Sequence, residues 1–285
     1  MKSNMGAAGV LLGLLPTILS LVGPDAAETG LLAQRRPFLA SLIALGSPVV
    51  SPHRMFMSND PVEVLLSKKK PGVWSLIDIR NLGSKQKLGI LVTEYLLAAA
   101  AVADIIHNSW QLGVQTLCSF STETTYHPLV WALTAVVANL ASAVATRLRI
   151  AITEYNEHGH RSRTLWREFQ LSGATSRVSI SIILTRKPES YLAAFVAWFT
   201  STSTIMHVIY GTITFSTVVF ISTEDALGVV ARYLMSTLVC RIILNFEMSG
   251  MRAMVREDDN TGGDNQERAM VDVRPVHMPR SQAVP

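Results

Sequence analysis

Three stretches of this chain, 3–24, 124–146 and 191–223, contain no Asp, Glu, Lys or Arg. A bilayer core about 30 Å thick is crossed by roughly 20 apolar residues of helix, so each stretch is long enough to span it. Two further apolar runs carry charges: 88–106 holds Glu94 and Asp104, and 226–246 holds Arg232 and Arg241. Leu, Ile, Val and Ala dominate both, which predicts helices there too. Charged residues make up only 16% of the chain and mean hydropathy is +0.30, against about a quarter charged in an ordinary soluble domain. That balance excludes a disordered protein, a coiled coil and a disulfide-stapled secreted domain. It also leaves too few charges to cover a soluble two-domain enzyme.

The expected fold is an all-α, polytopic transmembrane helical bundle with five crossings, over about 6–23, 88–106, 128–150, 191–221 and 225–246. These make a membrane domain over 1–250, followed by a tail over 251–285. The tail turns polar at Glu257-Asp258-Asp259-Asn260 and Gly262-Gly263, a composition that predicts disorder. A sixth apolar run within 37–51 spans about 20 Å as helix and is bracketed by Pro37 and Pro48. It reads as an interfacial or re-entrant segment; if it crosses, the helices number six.

Lys and Arg concentrate in 23–87, in 147–187 and after Phe246, while 107–128 holds neither and Ser222-Thr223-Glu224-Asp225 is acidic. Such asymmetry places the basic segments 53–87 and 151–190 and the C-terminus in the cytosol. The side of the N-terminus depends on whether 37–51 crosses. A cleaved signal peptide fits poorly, because Asp25 lies three residues before the best cut, after Ala27. Pro128 suits the first turn of its helix. Ser222 with Asp225 resembles a capping box, and Val178–Leu184 alternates as a short strand does. Cys118 and Cys240 fall at opposite ends of the bundle, which disfavours a disulfide; Cys240 reads as a packing residue rather than a palmitoylation site.

A charge inside the bilayer needs a partner or a task. Depth along the helices matches Asp104 with Arg232 and Glu94 with Arg241. Ten residues turn a helix by about 280° and nine by about 180°, so both pairs cannot meet across one straight interface. Asp104–Arg232 is the preferred pair. Three stripes follow helical spacing: Ala132, Ala135, Asn139, Ser142, Thr146 and Arg149; Thr200, Thr204, His207, Gly211 and Thr214; and Gly228, Arg232, Ser236 and Cys240. Small and hydroxyl residues in such stripes pack helices closely. Alternatively they form a polar path through His207 and Asn139, with Glu94 at its mouth.

Glu154, Glu157, His158 and His160 are weak candidates for a metal site, since their spacing departs from the helical pattern of two histidines four apart. A charged juxtamembrane loop explains them better. No phosphate loop, nucleophile elbow or Cys-x-x-Cys pair is present, and no cofactor is expected. Lys68, Lys69, Lys70 and Trp74 are candidates for contact with anionic lipid headgroups. The net charge of +4 comes largely from these cytosolic loops and does not imply nucleic-acid binding.

Leu11–Leu19 (LLGLLPTIL), Arg35-Arg36-Pro37, His207–Thr212 (HVIYGT) and Phe220–Ala226 (FISTEDA) resemble, in texture, the uncharacterised multi-spanning integral membrane proteins of filamentous fungi. That resemblance implies no activity, substrate or cofactor. The functional expectation is a non-enzymatic integral membrane protein whose basic cytosolic segments contact anionic lipid or a partner, with homo-oligomerisation or a membrane partner open. The alternative is a transporter or channel subunit using the intramembrane polar residues, and the third is a membrane-embedded metal-dependent enzyme.

Overall fold

Runs of Leu, Ile, Val and Ala without charges satisfy their own backbone as helix, and helices dominate the chain. The computed structural model describes residues 2–49, 83–118, 125–155, 181–186 and 190–271. Among them are seven helices: α1 (Lys2–Val22), α2 (Ala26–Arg35), α3 (Pro37–Gly46), α4 (Ser84–Gln115), α5 (His127–Arg149), α6 (Tyr191–Ser216) and α7 (Thr223–Val271). Two small antiparallel ladders join them: β1 (Leu117–Cys118) with β4 (Val218–Val219), and β2 (Ile150–Tyr155) with β3 (Ser181–Arg186). The protein is an all-α helical bundle. Four of its helices, Lys85–Gln115, His127–Arg149, Tyr191–Ser216 and Thr223–Arg252, are long and apolar enough to cross a membrane.

The surface supports the same conclusion. Leu140, Phe195 and Leu96 are 59% exposed or more, whereas Asn139, Thr200, Thr204 and His207 are buried. Apolar residues outside and polar residues inside suit a hydrocarbon surround, where only the interior offers hydrogen-bond partners.

The N-terminal third departs most from the expected simple spans. α1 packs along α6 with Gly13 against Ser216 and Pro16 against Gly211. The chain breaks at Gly23-Pro24, Asp25 caps α2 by accepting from Ala27 N at 3.2 Å, and α2 continues in the same direction along α5. There Ser142 Oγ donates to the Ala26 carbonyl at 2.6 Å, and Gly30 fits against Thr146, where a Cβ would lie 2.6 Å from Oγ1. After Arg36 the chain reverses, and α3 ends with Gly46 against Cys240 and Ala101. The two breaks meet: a Cβ on Gly23 would lie 3.0 Å from the Val49 carbonyl. α3 therefore lies within the bundle, with Leu39, Ala40, Ile43 and Ala44 buried, rather than along its surface.

α4 and α7 run antiparallel. Asn108 Nδ2 donates to the Val229 carbonyl at 3.2 Å, Ser109 Oγ lies 2.8 Å from Tyr233 Oη, and Ser236 Oγ donates to Asp104 at 2.7 Å. These bonds carry α4 to Gln115, beyond the expected end at 106. α6 stops at Ser216, short of the expected 221, because Phe220 takes φ 66 in the turn to α7. Ser222 Oγ accepts from Asp225 N at 3.1 Å and donates to its carboxylate at 2.7 Å, the capping arrangement expected there. β2 was not foreseen; its partner β3 lies within two to three residues of the expected strand. The last helix runs to Val271; 272–285 lie outside the described residues.

One end of the bundle gathers Lys85, Lys87, Arg147, Arg149 and Arg252, and the other carries Glu224 and Asp225. Below, these are the basic end and the acidic end.

Gly211 allows the closest helix approach in the core: a Cβ there would collide with the Trp131 indole and lie 2.9 Å from Pro16 Cγ. Overpacking of this kind costs about 1–3 kcal/mol. Gly211→Ala should lower Tm by several degrees in thermal unfolding followed by tryptophan fluorescence. Gly89→Ala, with nothing within 4 Å of the new methyl, should leave Tm unchanged.

Candidate functional site

Arg36 terminates α2 and precedes Pro37, so it sits at the tip of the α2–α3 hairpin. It is fully buried. Its Nη1 donates to Glu94 Oε2 of α4 at 3.0 Å and lies 2.8 Å from Glu247 Oε1 of α7. The guanidinium also stands 5.4 Å from the Tyr95 ring centre, a distance at which the ring's negative face attracts a cation. Tyr95 in turn stacks on Phe38 at 5.9 Å. One arginine thus joins the hairpin tip to two long helices.

A third buried carboxylate belongs to α2 itself. Glu28 of α2 takes Arg241 Nη1 at 3.0 Å and Arg252 Nη2 at 3.3 Å, both from α7. Arg35 is buried alongside. The charges inside this end are therefore Arg35, Arg36, Arg241 and Arg252 against Glu28, Glu94 and Glu247. In a low-dielectric interior such groups persist only as hydrogen-bonded pairs.

These pairs correct the expected ones. Glu94 bonds Arg36 rather than Arg241, and Arg241 bonds Glu28. The physical reason is the hairpin 26–46, which supplies its own charges to both helices. Arg35 and Arg36, counted by sequence among the loop charges that set topology, are buried. The preferred Asp104–Arg232 ion pair is also absent: Asp104 accepts from Ser236, and Arg232 Nη1 donates to Gln111 Oε1 at 3.1 Å. Both line an open groove of about 400 Å³ between α4 and α7, walled by Leu97, Ala100, Met235 and Val239.

Towards the acidic end, His207 forms the centre of an aromatic core. Its ring stacks on Trp131 at 5.2 Å and 7°. Trp131 meets Phe215 and Tyr233 edge-on, at 4.8 and 6.0 Å, and donates its indole N–H to the His207 carbonyl at 3.2 Å. Nε2 of His207 lies 2.7 Å from the Pro48 carbonyl and Nδ1 lies 2.9 Å from Thr134 Oγ1. A carbonyl only accepts, so Nε2 carries the proton; Thr134 Oγ1, beside Nδ1, donates its own proton to the Trp131 carbonyl at 2.8 Å. His207 thereby satisfies a carbonyl that the end of α3 leaves exposed.

The stripes on α5 and α6 are buried faces as expected; Ser142 and His207 reach across to α2 and to the end of α3, while four other polar groups turn back on their own helices. Asn139 Nδ2 donates to the Ala135 carbonyl at 3.0 Å, and Thr146, Thr200 and Thr204 donate to carbonyls four residues back. The α7 stripe is not one face. Ser236 and Cys240 are buried while Gly228 and Arg232 are exposed, since steps of four advance about 40° each around the helix. Cys240 packs against the end of α3. Of the metal candidates, Glu154 belongs to β2 opposite Ile182; Glu157, His158 and His160 lie outside the described residues. So do Lys68, Lys69, Lys70 and Trp74. Sequence reasoning missed Glu28, Arg36 and Glu247 as partners; the signal was a buried-length helix between Arg35-Arg36 and Pro48.

Removing one partner of a buried ion pair costs about 3–5 kcal/mol, because the remaining charge stays unpaired. Arg36→Leu should therefore strongly reduce the fraction of folded protein recovered in mild detergent. Arg36→Leu combined with Glu94→Gln and Glu247→Gln should recover most of it, as measured by gel filtration after graded heating. No family model, no curated protein and no solved structure matches the chain.

Proposed function

We propose that this chain is a non-enzymatic, multi-pass integral membrane protein that presents its basic end to anionic lipid headgroups, with its embedded charges holding the fold. The observation that carries the reading is the mutual pairing of Arg36, Glu94 and Glu247 and of Glu28, Arg241 and Arg252 inside the bundle. A conducting path needs polar groups that can take up and release a solute. Here both His207 ring nitrogens are engaged and Asn139 bonds its own helix. The basic end exposes Lys85 and carries the half-buried Lys87, and the sequence adds Lys68, Lys69, Lys70 and Trp74 nearby in the chain. On the positive-inside rule this end faces the cytosol, and with it the C-terminal segment.

A second reading, a transporter or channel subunit, draws support from the break between α1 and α2 and its meeting with the end of α3. Discontinuous helices often line solute sites in transporters. Solute flux through it requires the His207–Pro48 contact to open.

Lipid selectivity separates the two. With the full-length chain in vesicles and spin-labelled lipids, phosphatidylserine should be enriched over phosphatidylcholine in the immobilised shell. Replacing Lys68, Lys69 and Lys70 by Gln should reduce that enrichment, each lysine near the surface being worth about 1 kcal/mol. Equal immobilisation of the two lipids by the unaltered chain rejects the reading. Flux of small solutes that disappears in His207→Ala supports the second.

A further inference from the structure

Asp104 and Arg232 differ from Glu28, Glu94 and Glu247, each of which meets an arginine inside the bundle. Asp104 is half-buried and accepts only the Ser236 hydroxyl; Arg232 is exposed and donates only to Gln111. Among the described residues neither has an ion-pair partner, yet both line the same open groove. The residues around it face hydrocarbon: Leu96 is 65% exposed, Leu227 58% and Met235 61%. Trp110, 62% exposed, sits at the level where such residues meet the headgroups. Asp104 lies about 9 Å deeper along α4. Two opposite charges below the headgroups on a lipid-facing surface call for a covering partner.

We propose that the α4–α7 face is the interface of a two-fold homodimer within the membrane, with Asp104 of each copy paired to Arg232 of the other. The charge pattern selects this occupant. A face carrying both signs is self-complementary, and a two-fold axis makes each copy meet the same patch on its partner. An axis along the membrane normal preserves depth. Asp104 is level with Ser236, and Arg232 is one turn, about 6 Å, nearer the acidic end on α7, within reach of an arginine side chain turned from Gln111. The backbone can approach closely, because Ala100 and Ala231 line the groove and a Cβ on Gly228 would meet nothing within 4 Å. Small residues at such positions are what membrane helices use to associate. The interface lies in the membrane plane and is independent of the headgroup contacts at the basic end.

The test is single-molecule photobleaching of the fluorescently labelled full-length chain in phosphatidylcholine vesicles, over a range of protein-to-lipid ratios. The unaltered chain should bleach in two steps, falling to one on dilution. Arg232→Asp should shift that midpoint by about tenfold or more, from the lost polar contacts of the interface. The charge swap Asp104→Arg with Arg232→Asp should restore it, which a folding defect would not allow. Ala231→Phe, an apolar change on the lipid-facing surface, should abolish two-step bleaching on its own. Single steps at every ratio for the unaltered chain, as when a lipid molecule fills the groove, overturn the proposal. So does an unshifted midpoint in Arg232→Asp, or a swap that fails to restore it.

Discussion

A single guanidinium shared between two carboxylates carries the architecture. Arg36 lies at the turn between two helices too short to cross a bilayer alone, and its partners Glu94 and Glu247 belong to the two longest helices. A bare charge at this place would be far costlier than the turn itself. Paired, it becomes the reason the turn stays inside: the hairpin cannot leave without exposing three charges to hydrocarbon. Glu28 does the same from the adjacent face, taking two arginines of α7.

The second requirement is backbone accounting. Without water, every helix end within the bilayer needs a substitute partner. The break after α1 is met by Asp25, which caps α2, and the end of α3 by Ser47, whose hydroxyl donates to the Val49 carbonyl at 3.3 Å, and by His207 on the Pro48 carbonyl. Histidine serves well there, since one nitrogen donates to the carbonyl while the other lies 2.9 Å from Thr134 Oγ1. The stacked Trp131 fixes the ring's plane. Polar residues that suggest chemistry in a linear sequence are here the means of closing an interrupted backbone.

How much of this was legible beforehand differs by element. The four long helices follow from charge-free or charge-poor runs, because crossing hydrocarbon imposes a length that composition displays directly. The buried faces of α5 and α6 followed from their spacing. Depth matched Glu94 with Arg241, whereas Arg36 joins Glu94 to Glu247, further along α7; phase had warned that both expected ion pairs could not form. What stayed hidden was the third body between α4 and α7. Arg35-Arg36 looks like any topogenic pair, and ten apolar residues look like an interfacial segment, until packing brings Glu247 from the far end of the chain. Pairings across two hundred residues leave no local trace in a single sequence.

That separation has a consequence for how the protein is made. Glu28 and its partner Arg241 are 213 residues apart. A ribosome adding about 5–20 residues per second emits the second roughly 10–40 s after the first. Throughout that interval Glu28 has neither of its α7 arginines, whereas Arg36 meets Glu94 after only 58 residues. A carboxylate without its partners is costly in hydrocarbon until α7 arrives. Closure of the bundle around Glu28 is thus completed only with α7, out of the order in which the residues are read.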